Sequence, residues 1–129
     1  MHVMLIEDDP LVREVVMDSL SAEGMAVEGL ASAEDALVLL GAGQVPDVLV
    51  ADINLGAGLD GADLVAIARE RYPEVEAILI SGQSPDEAFG RLGPGHLRFL
   101  PKPFAPDALS RAIRDAAADA AATQQRRES

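Results

Sequence analysis

Pro46-Asp47-Val48-Leu49-Val50-Ala51-Asp52 sets four consecutive apolar residues ahead of an acid. A strand with one wet face alternates polar and apolar residues. A short unbroken apolar run reads instead as a strand buried on both faces, the pattern of a parallel sheet covered by helices. Val3-Met4-Leu5-Ile6 and Ala77-Ile78-Leu79-Ile80 share this character, and Met25 to Leu30 and Leu97 to Leu100 are near-continuous apolar runs. Helical patterns lie between them. Leu11, Val12, Val15, Val16, Ser19 and Leu20 fall near one face of a helix from Pro10 to about Glu23. Pro10 suits its first turn, Asp9 its N-cap and Gly24 its end.

Ser32 caps a second helix from Ala33 to Leu40, which Gly41-Ala42-Gly43 stops. A third runs from about Gly61 to Tyr72, with Leu64, Val65 and Ala68 inward and Pro73 beyond it. Ser84-Pro85-Asp86-Glu87 opens a fourth. It is short and contains Gly90, and glycine costs about 1 kcal/mol against alanine inside a helix. A fifth runs from about Pro106 to Ala122, with Leu109, Ile113, Ala116 and Ala120 inward. Five strands alternating with five helices predict an α/β fold, a doubly wound five-stranded parallel sheet. One domain over residues 1–122 is expected, with 123–129 a frayed polar tail.

A chain of 129 residues, 49% hydrophobic, suits a single core. At this size folding buries about two-thirds of the unfolded surface. There is no cysteine, which excludes disulfides and thiolate metal sites, and having only His2 and His96 as imidazoles argues against a multi-histidine zinc site. No apolar stretch approaches the roughly 20 residues of a membrane span. The N-terminus reaches acid at Glu7, too early for a signal sequence, so a cytoplasmic chain is expected. The net charge of −12, from 22 acids and 10 bases, repels phosphate backbones and argues against direct nucleic-acid binding.

In such a sheet, ligands sit beyond the carboxyl ends of the strands, where the strand order reverses. Glu7-Asp8-Asp9 follows the first strand, Asp52 ends the third, and Ser81 ends the fourth. The fifth leads into Leu100-Pro101-Lys102-Pro103-Phe104, which holds the sole lysine of a chain with nine arginines. A compact ammonium on a flexible stem acts as a point charge on one anionic group. Clustered carboxylates repel unless a cation or proton intervenes. Without soft ligands that cation is a hard one such as Mg²⁺, which keeps several waters and uses few carboxylates. Glu7, Asp8 and Asp52 are the candidates. The plainer account of each acid is a helix cap or a solvated loop end. It is preferred for Asp9 and weakest for Asp52, which ends a buried strand. Acids, a divalent cation, a lysine and a hydroxyl suit phosphoryl transfer, where catalysis is mostly positioning and charge neutralisation.

In this order and spacing, five motifs resemble the receiver domain of response regulators, the phosphoacceptor module of two-component signalling. They are Leu5-Ile6-Glu7-Asp8-Asp9-Pro10, Pro46 to Asp52, Asp60-Gly61, Ile80-Ser81-Gly82 and Leu100 to Phe104. The resemblance covers about residues 2–120 and implies the strand order 2-1-3-4-5. It implies that Asp52 accepts a phosphoryl group from a sensor histidine kinase or a histidine phosphotransferase. Glu7, Asp8, Asp52 and the main-chain carbonyl of Asn54 would hold Mg²⁺. Ser81 would bond a phosphoryl oxygen, and Lys102 would pair first with the carboxylate and then with the phosphoryl group. The Lys102-Pro103 bond is expected to be cis. Phe99 matches the switch aromatic, turning inward with Ser81 to alter the face made by the fourth helix, fifth strand and fifth helix. A downstream protein would read that face, and the resemblance also admits a phosphorylation-dependent homodimer. The weak Gly90 helix on that face is either functionally labile or simply poorly stabilised. Asn54 and Gln83 match positions that tune the lifetime of the phosphoryl group.

The loop from Asp52 to Asp60-Gly61 is one residue longer than the usual spacing, with Gly56 in place of proline, so a looser loop is expected. The leading reading is a stand-alone receiver or phosphorelay intermediate that catalyses its own phosphorylation and dephosphorylation rather than acting as a conventional enzyme. Starting at Met1 and ending in a polar tail mildly favours a complete short protein over a receiver cut from a hybrid kinase or DNA-binding regulator. An aspartyl-nucleophile phosphatase would need a second acid where Asn54 stands. A degenerate receiver would lack part of the acid, serine and lysine set.

Overall fold

The computed structural model describes residues 1–56, 58–82, 92 and 95–128. The elements are β1 (His2–Ile6), α1 (Pro10–Ala22), β2 (Ala26–Leu30), α2 (Ala33–Gly41), β3 (Val48–Asp52), α3 (Gly61–Arg71), β4 (Glu76–Ser81), β5 (Leu97–Pro101) and a C-terminal helix (Pro106–Glu128). The five strands are parallel in the order β2-β1-β3-β4-β5. Four of the five expected helices lie among the described residues. The one expected from Ser84 lies outside them.

Alternation along each strand divides the core into two layers. Met4, Ile6, Leu49, Ala51, Ala77 and Leu79 point to one face, where α2 contributes Ala33, Ala36 and Leu40, and α3 contributes Leu64, Val65 and Ala68. Val3, Leu5, Val48, Val50, Ile78 and Ile80 point to the other, beneath Leu20 of α1 and Leu109, Ile113 and Ala116 of the C-terminal helix. Both layers need apolar residues, so the three central strands read as unbroken apolar runs. The chain leaves β1 toward β2 and returns past β1 to form β3. The order therefore reverses between β1 and β3, and their carboxyl ends frame a crevice.

Three expectations are corrected. The face of α1 that packs inward carries Val16, Met17 and Leu20, whereas Leu11, Val12 and Val15 are 73%, 43% and 66% exposed. At about 3.6 residues per turn, Leu11, Val12, Val15, Val16, Met17 and Leu20 spread around much of the helix, so their spacing marks no unique inner face. β4 begins one residue earlier than expected, at Glu76, which is only 2% exposed. Its carboxylate is buried with partners: His96 Nδ1 lies 2.7 Å from Oε1, and Arg98 Nη1 lies 3.7 Å from Oε2. The C-terminal helix extends to Glu128, past the expected end near Ala122. No glycine or proline follows Ala122, and the residues there include good helix formers.

Candidate functional site

The sheet delivers three of the predicted side chains to one point. Asp52, the last residue of β3, is 3% exposed, and Glu7, immediately after β1, is 7% exposed. Asp52 Oδ1 accepts a hydrogen bond of 2.9 Å from the Asn54 main-chain N–H, and Oδ2 accepts one from the Lys102 ammonium. The Lys102 main-chain N–H donates to the Ser81 carbonyl at 2.9 Å, which continues the β4–β5 ladder and anchors the stem of the lysine. The Lys102-Pro103 bond is cis. The hydrogen bond to Asp52, followed by the fields of Asp52, Glu7 and Asp8, raises the Lys102 pKa above 10.5 against desolvation. The lysine's own contribution to stability is in place at neutral pH and is lost as pH rises past its raised value.

Burial, more than any other cause, raises the Glu7 carboxyl above its ordinary value, and the neighbouring Asp8 and Asp52 add to the rise. The Asp9 N–H donates to Glu7 Oε1 at 3.1 Å and opposes it. The Glu7 carbonyl in turn accepts from Arg13 Nη1 at 2.8 Å. Asp8 is exposed at the mouth. Asp9 is the N-cap of α1, accepting from Leu11 N–H at 2.9 Å and Val12 N–H at 3.3 Å. The cap reading is therefore correct for Asp9 and insufficient for Glu7 and Asp52.

Asp8 and Asp52 both act on the Glu7 carboxyl, and these three acids offer only oxygen donors, the kind a hard cation takes. Among the described residues, no group of three or more acidic or imidazole side chains is placed to hold a metal ion. Mg²⁺ does not need one, since it keeps several waters and takes one or two carboxylates. Ser81, 8% exposed, ends β4 at the same edge. Phe99 on β5 is half-buried against the α2–α3 layer and is paired with Leu79. Gln83 lies outside the described residues.

Sequence reading missed how tightly α3 presses on the strand that ends in Asp52. A Cβ at Gly61 would collide with the Asp52 carbonyl oxygen, with the Asp52 carbonyl carbon 2.9 Å and Ile53 Cα 3.1 Å away. Asp60 and Asp63 close a capping box beside it. The Asp60-Gly61 pair was visible, but its contact with Asp52 is not written in either residue type.

The pattern of the family described as response regulator receiver domain matches residues 3–114. The chain belongs to that family. It is a receiver domain of the two-component type, and receiver domains of this family interact with histidine kinases and downstream effectors. It is 35% identical over 104 residues to the DNA-binding transcriptional regulator NtrC of Proteus hauseri, covering 80% of this chain and 22% of that protein. It is 32% identical over 117 residues to the sensor kinase CckA of Brucella abortus, covering 88% of this chain and 12% of that protein. The crystal structure of a response regulator receiver protein from Sinorhizobium medicae superposes with a TM-score of 0.84 at 25% identity, covering 93% of this chain and 96% of that one. The receiver domain thus spans a quarter or less of these two curated relatives. Among the described residues, no helix is long and apolar enough to cross a membrane.

Proposed function

We propose that Asp52 is the phosphoacceptor of this receiver domain. The observation that carries the reading is a nearly buried carboxylate paired with the chain's single lysine, beside the buried Glu7 and the exposed Asp8. An Asp52 oxygen attacks the phosphorus of a phosphohistidine, the P–N bond breaks, and the imidazole leaves. Asp52 is held for this by Asn54 N–H on one oxygen and Lys102 on the other. Lys102 follows the new charge onto the phosphoryl group, and Ser81 supplies a hydroxyl to the same group. Mg²⁺ held by Glu7, Asp8, Asp52 and the Asn54 carbonyl would neutralise charge on the phosphoryl oxygens. Incubation with acetyl phosphate and Mg²⁺ is expected to give one acid-stable, base-labile phosphoryl group. Full labelling in chelator would contradict the metal assignment.

The donor is a histidine-bearing kinase or phosphotransferase that approaches over α1. Leu11, Val12 and Val15 expose an apolar strip, and Val15 also lines a small apolar pocket with Val16, Ser19, Leu20, Phe104 and Leu109. Phe104 lies two residues from Lys102, so the pocket flanks the acid edge. Exposed apolar surface next to a polar site suits a partner helix seated in a groove. Val15→Lys is expected to lower the phosphotransfer rate from a kinase that labels the wild-type chain by at least about tenfold, a loss of about 1.4 kcal/mol in docking. Acetyl phosphate labelling should stay within about twofold, because that donor needs no docking surface. Equal losses with both donors would remove α1 from the docking surface.

The output follows from the same site. Ser81 and Phe99 lie on adjacent strands, and movement of Ser81 toward a phosphoryl group leaves space for Phe99. The surface of β5 and the C-terminal helix is the face a downstream protein would read.

A further inference from the structure

Residues 53–60 connect the phosphoacceptor strand to α3, and Ala57 is not among the described residues. The near limb is fixed by Ile53 N–H donating to the Ile80 carbonyl at 2.9 Å and by burial of Leu55. Its Gly56 has a φ of +78°, and a Cβ there would lie 3.5 Å from Asp8 Oδ2, so this limb walls the acid pocket. The end of the connection is fixed by Gly61 N–H donating to the Ile53 carbonyl at 3.0 Å and by the Asp60–Asp63 capping box.

The far limb is held from another element. Glu34, in the first turn of α2, accepts a hydrogen bond of 3.0 Å from the Leu59 main-chain N–H. Its carboxylate lies so close over Gly58 that a Cβ there would be 2.7 Å from Oε1, and Gly58 has a φ of +94°. Glycine at 58 therefore permits both the backbone turn and the approach of Glu34. The bond to Leu59 N–H is the main cause lowering the Glu34 pKa, so the acceptor is charged at neutral pH. The extra residue and absent proline that make this loop read as loose are thus offset by a carboxylate from α2.

We infer that Glu34 is a positioning residue that clamps the 53–60 connection against the acid pocket and so sets the rate at which Asp52 gains its phosphoryl group. The inference rests on the phosphoacceptor reading above. A displacement of about 1 Å at a reacting centre can cost about a hundredfold in rate. With the near limb still fixed, Glu34→Ala should slow acetyl phosphate labelling at saturating Mg²⁺ by about tenfold. Glu34→Gln keeps an oxygen acceptor and should restore the rate to within about twofold of wild type. Gly58→Ala, which pushes the Glu34 carboxylate aside and strains a backbone at φ +94°, should also slow labelling. A merely structural Glu34 would shift the melting temperature and leave the rate of the folded protein unchanged. The Leu59 amide reports the clamp directly, by loss of hydrogen-exchange protection in Glu34→Ala and its retention in Glu34→Gln.

Label on Asp52 with unchanged rates in folded Glu34→Ala would overturn this inference alone. Absence of label from the wild-type chain would overturn the phosphoacceptor reading and the inference with it.

Discussion

Asp52→Asn is expected to abolish phosphoryl labelling while leaving the protein folded. The amide is nearly isosteric with the carboxylate, and its oxygen can still accept the 2.9 Å bond from Asn54 N–H. It cannot attack phosphorus to give an acyl phosphate. Its NH₂ group would also present donors toward Lys102, which is itself a donor, so the lysine must swing to solvent or toward Glu7. Two electrostatic changes oppose each other in the variant. It loses the Lys102 pair and relieves repulsion with Glu7 and Asp8, whose fields act on this corner together. Circular dichroism and melting should therefore show a native-like fold, while acetyl phosphate with Mg²⁺ leaves no base-labile label. Labelling of the variant at the wild-type rate would place the phosphoacceptor elsewhere.

The second large effect concerns packing. Gly61→Ala places a methyl group against the Asp52 carbonyl, and every atom it meets there belongs to the main chain. A flexible side chain could rotate away, but a strand end held by the β3–β4 ladder cannot. Overpacking usually costs about 1–3 kcal/mol, and this site should lie at or above the top of that range. For a chain of this length, a loss of about 3 kcal/mol would lower the melting temperature by roughly 10 °C or more. Relief by separation of α3 from β3 would also move Asp52 away from Lys102. Gly61→Ala should therefore lose labelling rate even at a temperature where it is fully folded. Unchanged melting would show that α3 can move off Asp52 at little cost.

The architecture was readable because double-sided burial leaves a direct trace. β1, β3 and β4 must fill two layers, so Val3 to Ile6, Val48 to Ala51 and Ala77 to Ile80 are apolar without interruption. Asp52 was readable for the converse reason, since a carboxylate at the end of a buried strand needs a partner. Lys102 was marked by its uniqueness and by the prolines around it. The inner face of α1 was not legible because its exposed strip is as apolar as its buried one, and composition alone does not separate an exposed apolar face from a core face. Glu76 escaped because an acid at a strand's start looks like a loop end until His96 and Arg98 come beside it. Glu34 and Gly61 escaped because their roles are contacts across the fold. Glu34 meets Leu59 across 25 positions, and Gly61 acts through the side chain it lacks.

The most direct test of the central claim is to locate the phosphoryl group on the wild-type chain. After reaction with acetyl phosphate and Mg²⁺, borohydride reduction converts an aspartyl phosphate to homoserine, which peptide mass spectrometry can place. The account predicts homoserine at position 52 and at no other acid. Homoserine at Asp8 or another aspartate, or a phosphoryl group retained on His96 or a serine, would contradict it.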